Sequence, residues 1–183
     1  MKATNTIFLR EFGAYVRSPV GWILAALNLA VTGILFQSWV LSETLLSADA
    51  LAKFFWLASG VTMIMVIVLS FRLITEDRQN HAMVLLNTSP ISETEIILGK
   101  FLGALAFLTL MLATSVYLPL LIKINGKVTG GQIFVGYLGL FLLGAASLAI
   151  GTFASAMTRH WLIALAGGFM ILTVMVLLFP LAK

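Results

Sequence analysis

Five stretches of this chain contain no Asp, Glu, Lys or Arg: Ser18–Ser42, Phe54–Phe71, Phe101–Ile122, Val128–Thr158 and Trp161–Ala182. An α-helix needs about 20 apolar residues to cross a hydrocarbon core of roughly 30 Å, and each stretch supplies that many or nearly so. Backbone groups in lipid must be satisfied internally, which leaves helices or closed barrels. A barrel strand would alternate apolar and polar residues over about ten positions, and no such alternation occurs here. The fold class is therefore all-α, a polytopic transmembrane helical bundle with five predicted spans at about 20–41, 54–71, 96–122, 133–157 and 161–179. Composition agrees. Of 183 residues 10% are charged, against roughly 25% in a soluble domain, too few to solvate a surface of this size.

Residues 1–18 form a separate unit. Arg10, Glu11 and Arg17 interrupt the apolar residues and no small-residue cleavage site precedes the first span, so the pattern is not that of a secretory signal. Read as a helix, Phe8, Phe12 and Tyr15 share one face while Arg10 and Arg17 share another. This predicts an amphipathic interfacial helix with its rings among the lipid headgroups. Ser18-Pro19 breaks it before span one, because the residue before proline avoids the α region.

Span one carries Trp22 and Trp39 near its ends, where amphipathic rings prefer to sit. Its amides, Asn28 and Gln37, are expected to hydrogen-bond between helices rather than line a pathway. Met63 and Met65 of span two read as adaptable packing. Span three opens with Gly99 and Gly103 at the spacing that lets another helix approach closely, and Pro119 is predicted to bend its outer end. Lys123–Gly131 is a tight polar turn around Asn125-Gly126. Span four has small residues at Ser147, Gly151 and Ser155, every fourth position. These five small residues are candidates for helix packing or for a dimer contact.

Between spans two and three lies the bridge Phe71–Gly103, which gathers Glu76, Asp77, Glu93 and Glu95 of the chain's seven acidic residues. A helix over Glu76–Asn87 is predicted, with its acids in the first turn, where they complement the dipole. Thr88-Ser89-Pro90 ends it, and Ser92 with Glu95 forms a capping box that starts the next helix. Counting Lys and Arg puts seven on the N-terminal side of the membrane (Lys2, Arg10, Arg17, Arg72, Arg78, Lys100, Arg159) and four on the other (Lys53, Lys123, Lys127, Lys183). The positive-inside rule then makes the N-terminus and the bridge cytoplasmic and residue 183 external.

Much chemistry is missing. There is no cysteine, hence no thiol nucleophile, disulfide or Cys-ligated metal, and the redox compartment stays open. No GxxxxGK[ST] loop occurs to cradle nucleotide phosphates and no G-x-S-x-G elbow is present. His81 and His160 lie in different segments, short of a metal constellation. Ion-coupled carriers display ionisable residues inside the membrane, and these spans have none. If substrate moves, another subunit is expected to supply the energy. No catalytic residue, metal or cofactor of its own is expected, and no nucleic-acid partner.

The bridge carries a resemblance. Arg10-Glu11 on the amphipathic helix, Arg17-Ser18-Pro19 before span one and Arg72 closing span two precede Glu76-Asp77-Arg78, Leu85-Leu86, Ser89-Pro90-Ile91-Ser92 and Leu98-Gly99-Lys100-Phe101. In order, spacing and topology this resembles the type-2 permeases of ATP-binding-cassette transporters over nearly the whole length. It is most similar to the branch with gliding-motility and nitrous-oxide-reductase-maturation permeases. The family often has Gly-Thr and then Leu-Glu where this chain has His81-Ala82-Met83-Val84. Members usually have six spans and this sequence stops after five, which suggests that it is C-terminally incomplete.

The resemblance implies a permease subunit, an exporter in a bacterial inner membrane. It would pair with a second permease protomer and a cytoplasmic ATPase that holds the ATP and Mg²⁺. Residues 1–18, with Arg10, Glu11, Tyr15 and Arg17, would be the connecting helix, and 19–183 the permease domain. Segment 76–91 would be the coupling helix, engaging the ATPase through Glu76, Asp77, Arg78, His81, Met83, Val84, Leu85, Leu86 and Pro90. Four consecutive apolar residues within a charged rim suit a docking site. The alternative is a membrane subunit that anchors or assembles an envelope complex and transports nothing.

Overall fold

The computed structural model describes residues 2–40, 46–79, 92–158 and 160–181. Among these residues there are seven α-helices and no strand. Helix α1 (Lys2–Arg17) is followed by α2 (Pro19–Leu35), which widens into a π-turn at Phe36–Val40. Then come α3 (Ser47–Gln79), α4 (Glu93–Thr114), α5 (Tyr117–Asn125), α6 (Gly130–Met157) and α7 (Trp161–Leu181). Four helical stretches are long and apolar enough to cross a membrane: Pro19–Val40, Ser47–Ser70, Thr94–Ile124 and Gly130–Met157. A fifth apolar helix, Leu162–Leu178, is shorter. The chain is an all-α polytopic bundle.

Two helix boundaries differ from the sequence expectation. Span two is not the shortest helix but part of the longest, the 33-residue α3, about 50 Å at 1.5 Å per residue. It starts at Ser47 with Asp49 in its first turn, a favourable place for an acid, and no Gly or Pro interrupts it between Val61 and Gln79. A separate bridge helix beginning at Glu76 is therefore not seen, because Glu76, Asp77 and Arg78 continue α3. The side chains of these three, and all of His81, Met83, Val84, Leu85, Leu86 and Pro90, lie outside the described residues. The bend expected at Pro119 lies one turn earlier, at Ser115–Val116, between α4 and α5. A proline ring clashes with the carbonyl four residues before it, here that of Ser115. The freed Ser115 carbonyl accepts instead from the Leu118 N–H at 3.1 Å.

Small residues decide how the long helices meet. The Phe55 ring fills the space that a Cβ on Gly136 would need. One further stretch along both helices, a Leu108 methyl of α4 lies 2.6 Å and a Thr62 methyl 3.4 Å from the Cβ position of Gly144. Further still, Ser70 occupies the Cβ space of Gly151. The partners 55, 62 and 70 rise with 136, 144 and 151, so α3 and α6 run in the same direction. Ser147 and Ser155 lie on the same buried side of α6, 2% and 0% exposed, and the Gly151 backbone also admits α7 at Gly168. Ser147, Gly151 and Ser155 thus pack within the chain.

The Gly151 contact generates a test. Adding one methyl in Gly151→Ala is expected to destabilise the detergent-solubilised bundle by about 1–3 kcal/mol, read as a lower thermal midpoint. Combining it with Ser70→Gly should recover part of the loss. A neutral G151A would show that the seam does not hold α3 to α6.

Candidate functional site

Helix α1 presents a continuous inner face. Ile7 and Tyr15 are buried, each 6% exposed, and Thr4, Phe8, Glu11 and Phe12 are partly covered. Their spacing, 4, 7, 8, 11, 12 and 15, is that of one helical stripe. Arg10 and Arg17 point away from it and are exposed. Tyr15 faces protein: it stacks on Phe107 of α4 at 5.2 Å, and its hydroxyl reaches the Leu69 carbonyl of α3 at 3.5 Å. Phe8 and Phe12 stack on each other at 6.2 Å and are partly covered.

The Gly99/Gly103 pair makes this docking possible. A Cβ on Gly99 would lie 2.8 Å from the Ile7 side chain, and one on Gly103 would lie 2.8 Å from Glu11 Cβ and 3.2 Å from the Phe12 nitrogen. Close backbone approach at such sites is the physical use of the motif. Its partner here is α1 of the same chain. Ile7 meets Gly99, Glu11 meets Gly103 and Tyr15 meets Phe107, so α1 and α4 lie side by side and run in the same direction.

Between the two glycines, Lys100 Nζ donates to Glu11 Oε1 at 3.0 Å. The Lys100 side chain is 5% exposed and that of Glu11 13%. Arg10 donates to the same oxygen at 3.0 Å from a side chain that is 57% exposed. The buried pair is the important one. Removing one partner of such a pair leaves an uncompensated charge and costs about 3–5 kcal/mol, whereas an exposed ion pair contributes about 0–1 kcal/mol. By sequence alone Lys100 reads as a cytoplasmic charge and as part of the Leu98-Gly99-Lys100-Phe101 stretch, with no partner assigned to it. The signal that could have singled it out is a lysine enclosed by the two glycines of GKFLG, together with an acid on the buried stripe of α1.

A tight elbow joins α1 to α2. Ser18 caps α2, its hydroxyl accepting from the Val20 N–H at 3.2 Å, with Pro19 in the first turn. Trp22 Nε1 donates to the Val16 carbonyl at 2.7 Å, closing the end of α1. Gly21 lies against the Tyr15 carbonyl where no Cβ would fit. At the other side of the site, Ser92 and Glu95 form the expected capping box at the start of α4. The docked turns of α1 therefore meet α4 about two turns after its start at Glu93.

A groove of about 540 Å³ runs between α1 and α4, lined by Thr4, Asn5, Phe8, Leu102, Leu105, Ala106 and Thr109. Among the described residues, no three of His, Asp and Glu approach closely enough to hold a metal ion. The site is mechanical in character: one short helix, clamped by an ion pair and two glycines, ties together the adjoining ends of α2, α3 and α4.

A family model described as ABC-2 family transporter protein matches residues 5–183. The chain belongs to that family. It is a multi-pass membrane protein and a permease component of an ABC transporter, a family whose members associate with an ABC ATPase. No curated protein matches the sequence. In this permease the clamp can be tested directly. Glu11→Gln or Lys100→Gln alone should each lower the thermal midpoint and speed proteolysis of α1, by less than the roughly 3–5 kcal/mol of a fully orphaned buried charge. Arg10 still donates to Glu11 once Lys100 is gone, and Lys100 keeps a further interaction once Glu11 is gone. The apolar double replacement Glu11→Leu/Lys100→Met should recover most of that, and Arg10→Gln should change the midpoint little.

Proposed function

We propose that this ABC-2 permease is the membrane half of an exporter of the gliding-motility and nitrous-oxide-reductase-maturation type. A separate cytoplasmic ATPase chain binds the ATP and Mg²⁺ and drives it. In this reading the N-terminus and the bridge face the cytoplasm of a bacterial inner membrane and residue 183 faces outward. A second permease protomer completes the pathway, because five spans are few to enclose one, and lipid surrounds the pair.

The observation that supports this reading is the placement of α1. Segment 76–91 is bracketed by α3 and α4, and α1 is clamped to α4 through Glu11–Lys100 and touches α3 through Tyr15. A force applied at the bridge by an ATPase would thus act on α1, α2, α3 and α4 together. Helix α3, continuous over 33 residues, would carry that displacement across the membrane as a rod. Glu76, Asp77, Arg78, His81, Met83, Val84, Leu85, Leu86 and Pro90 form the ATPase-facing surface, with Leu85 and Leu86 as its apolar anchor and the charges as its rim.

The test is gentle affinity capture of the chain from its native membrane, followed by reconstitution with the ATPase it brings down. Recovery of a P-loop ATPase is expected, and Leu86→Asp, or charge reversal at Glu76 and Asp77, should abolish permease-stimulated ATP hydrolysis while leaving membrane insertion intact. Hydrolysis unchanged in these variants would remove the coupling role of the bridge. Capture of envelope proteins alone would favour the anchoring reading.

A further inference from the structure

The packing of α1 on α4 leaves an open groove of about 540 Å³ along one side. Its two ends differ in chemistry. At one end stand Thr4, partly covered, and Asn5, exposed. Neither makes a side-chain hydrogen bond with another described residue. The other end is formed by Leu105, Ala106 and Thr109 of α4. The Thr109 hydroxyl donates to its own Leu105 carbonyl at 2.9 Å, so this end offers no free donor. Among the described residues no charged side chain lines the groove.

The reach of the groove matches one leaflet of a bilayer. The Thr4 carbonyl lies 3.1 Å from the Cβ position of Gly99, which places the polar end at that level of α4. From 99 to 109 the helix rises about 15 Å, half of a hydrocarbon core of roughly 30 Å. Thr109 is also midway along the spanning stretch Thr94–Ile124. The groove therefore runs from one edge of the hydrocarbon core to the bilayer centre. Its polar groups stand at the depth of lipid ester groups and its apolar wall at the depth of acyl chains.

A hydroxyl and a side-chain amide both donate, and a lipid ester offers acceptors alone, so the two chemistries are complementary. We infer that the groove is a binding site for one acyl chain of a membrane glycerophospholipid. Thr4 and Asn5 hold its ester carbonyl, and its methylenes lie along Leu105, Ala106 and Thr109. Any headgroup is accepted, because no charge in the lining selects one. Helix association in lipid rests on close packing, and the bound chain supplies that packing where α1 and α4 part. The inference rests on the contact of α1 with α4 and does not depend on an ATPase docking at the bridge.

The test uses the chain reconstituted in phosphatidylcholine vesicles that hold a small fraction of phosphatidylcholine with a photoreactive diazirine near the end of one acyl chain. After illumination, peptide mass spectrometry locates the label. Leu142 of α6 is the control, because it is 59% exposed and lies near the middle of its own span, at the depth of the inner end of the groove. Two hydrogen bonds together are worth about tenfold in occupancy, so labelling over Leu105–Thr109 should exceed that at Leu142 by about this factor. The double substitution Thr4→Val/Asn5→Leu should remove the excess and leave Leu142 unchanged. Ala106→Phe, which fills the inner end, should remove it as well. Equal labelling at the groove and at Leu142 overturns the inference, as does a groove left unlabelled because a second copy of the chain covers it. Excess labelling that persists in both variants also overturns it. If Ala106→Phe fails to accumulate, the substitutions at the polar end decide by the same ratio.

Discussion

In lipid a helix gains nothing hydrophobic by leaving acyl chains for another helix, so association rests on close packing and on the few polar contacts available. The contact between α3 and α6 is where this constraint is met most fully. Phe55, Thr62 and Ser70 enter the spaces left by Gly136, Gly144 and Gly151. This interlock aligns two helices that are far apart in sequence. The other elements are arranged around it. Leu108 brings α4 to Gly144, and Ser115, at the α4–α5 break, pairs with the Tyr137 hydroxyl at 3.0 Å. Phe36, Phe54, Phe55 and Tyr137 then form a chain of ring contacts from the π-turn of α2 to that break.

The end of the bundle that holds α1 is built differently. There a short amphipathic helix is fastened by charge. Burying Glu11 and Lys100 is costly for either residue alone, so the two hold α1 in a single register on α4. The glycines on either side of Lys100 let the backbones come near enough for the pair to form. An elbow with Ser18 as cap, Pro19 in the first turn and Gly21 under the Tyr15 carbonyl passes this position on to α2. For a transporter component the combination has a clear consequence. The helices on both sides of the bridge, α3 and α4, are both contacted by α1 at defined positions, Leu69 and Lys100.

Several features are legible in the residues themselves. The capping box at Ser92, the break at Ser18-Pro19 and the small seam of α6 all depend on neighbours close in sequence or on simple periodicity. The end of α3 is not legible in the same way, because the charges that follow Phe71 mark two different things. They end the apolar span, but they do not end the hydrogen-bonding pattern, and nothing between Arg72 and Gln79 breaks that pattern. The α1 face is half legible. Its periodicity is clear, but a ring at an interface and a ring against another helix obey the same spacing, so periodicity cannot assign Tyr15 to Phe107.

The sequence by itself determined the class of this protein, its apolar spans, its helix caps and its turns. Each of these follows from hydrophobicity, backbone propensity or a contact within one or two turns. Only the tertiary structure decided which helix fills the Gly99–Gly103 notch, that Lys100 pairs with Glu11 across 89 positions, and that α3 and α6 lie parallel. It also decided that Asn28 meets no described partner on the neighbouring helix. Those outcomes depend on which surfaces meet in space. Small residues and lone polar side chains show that a close contact is possible, but not which contact forms.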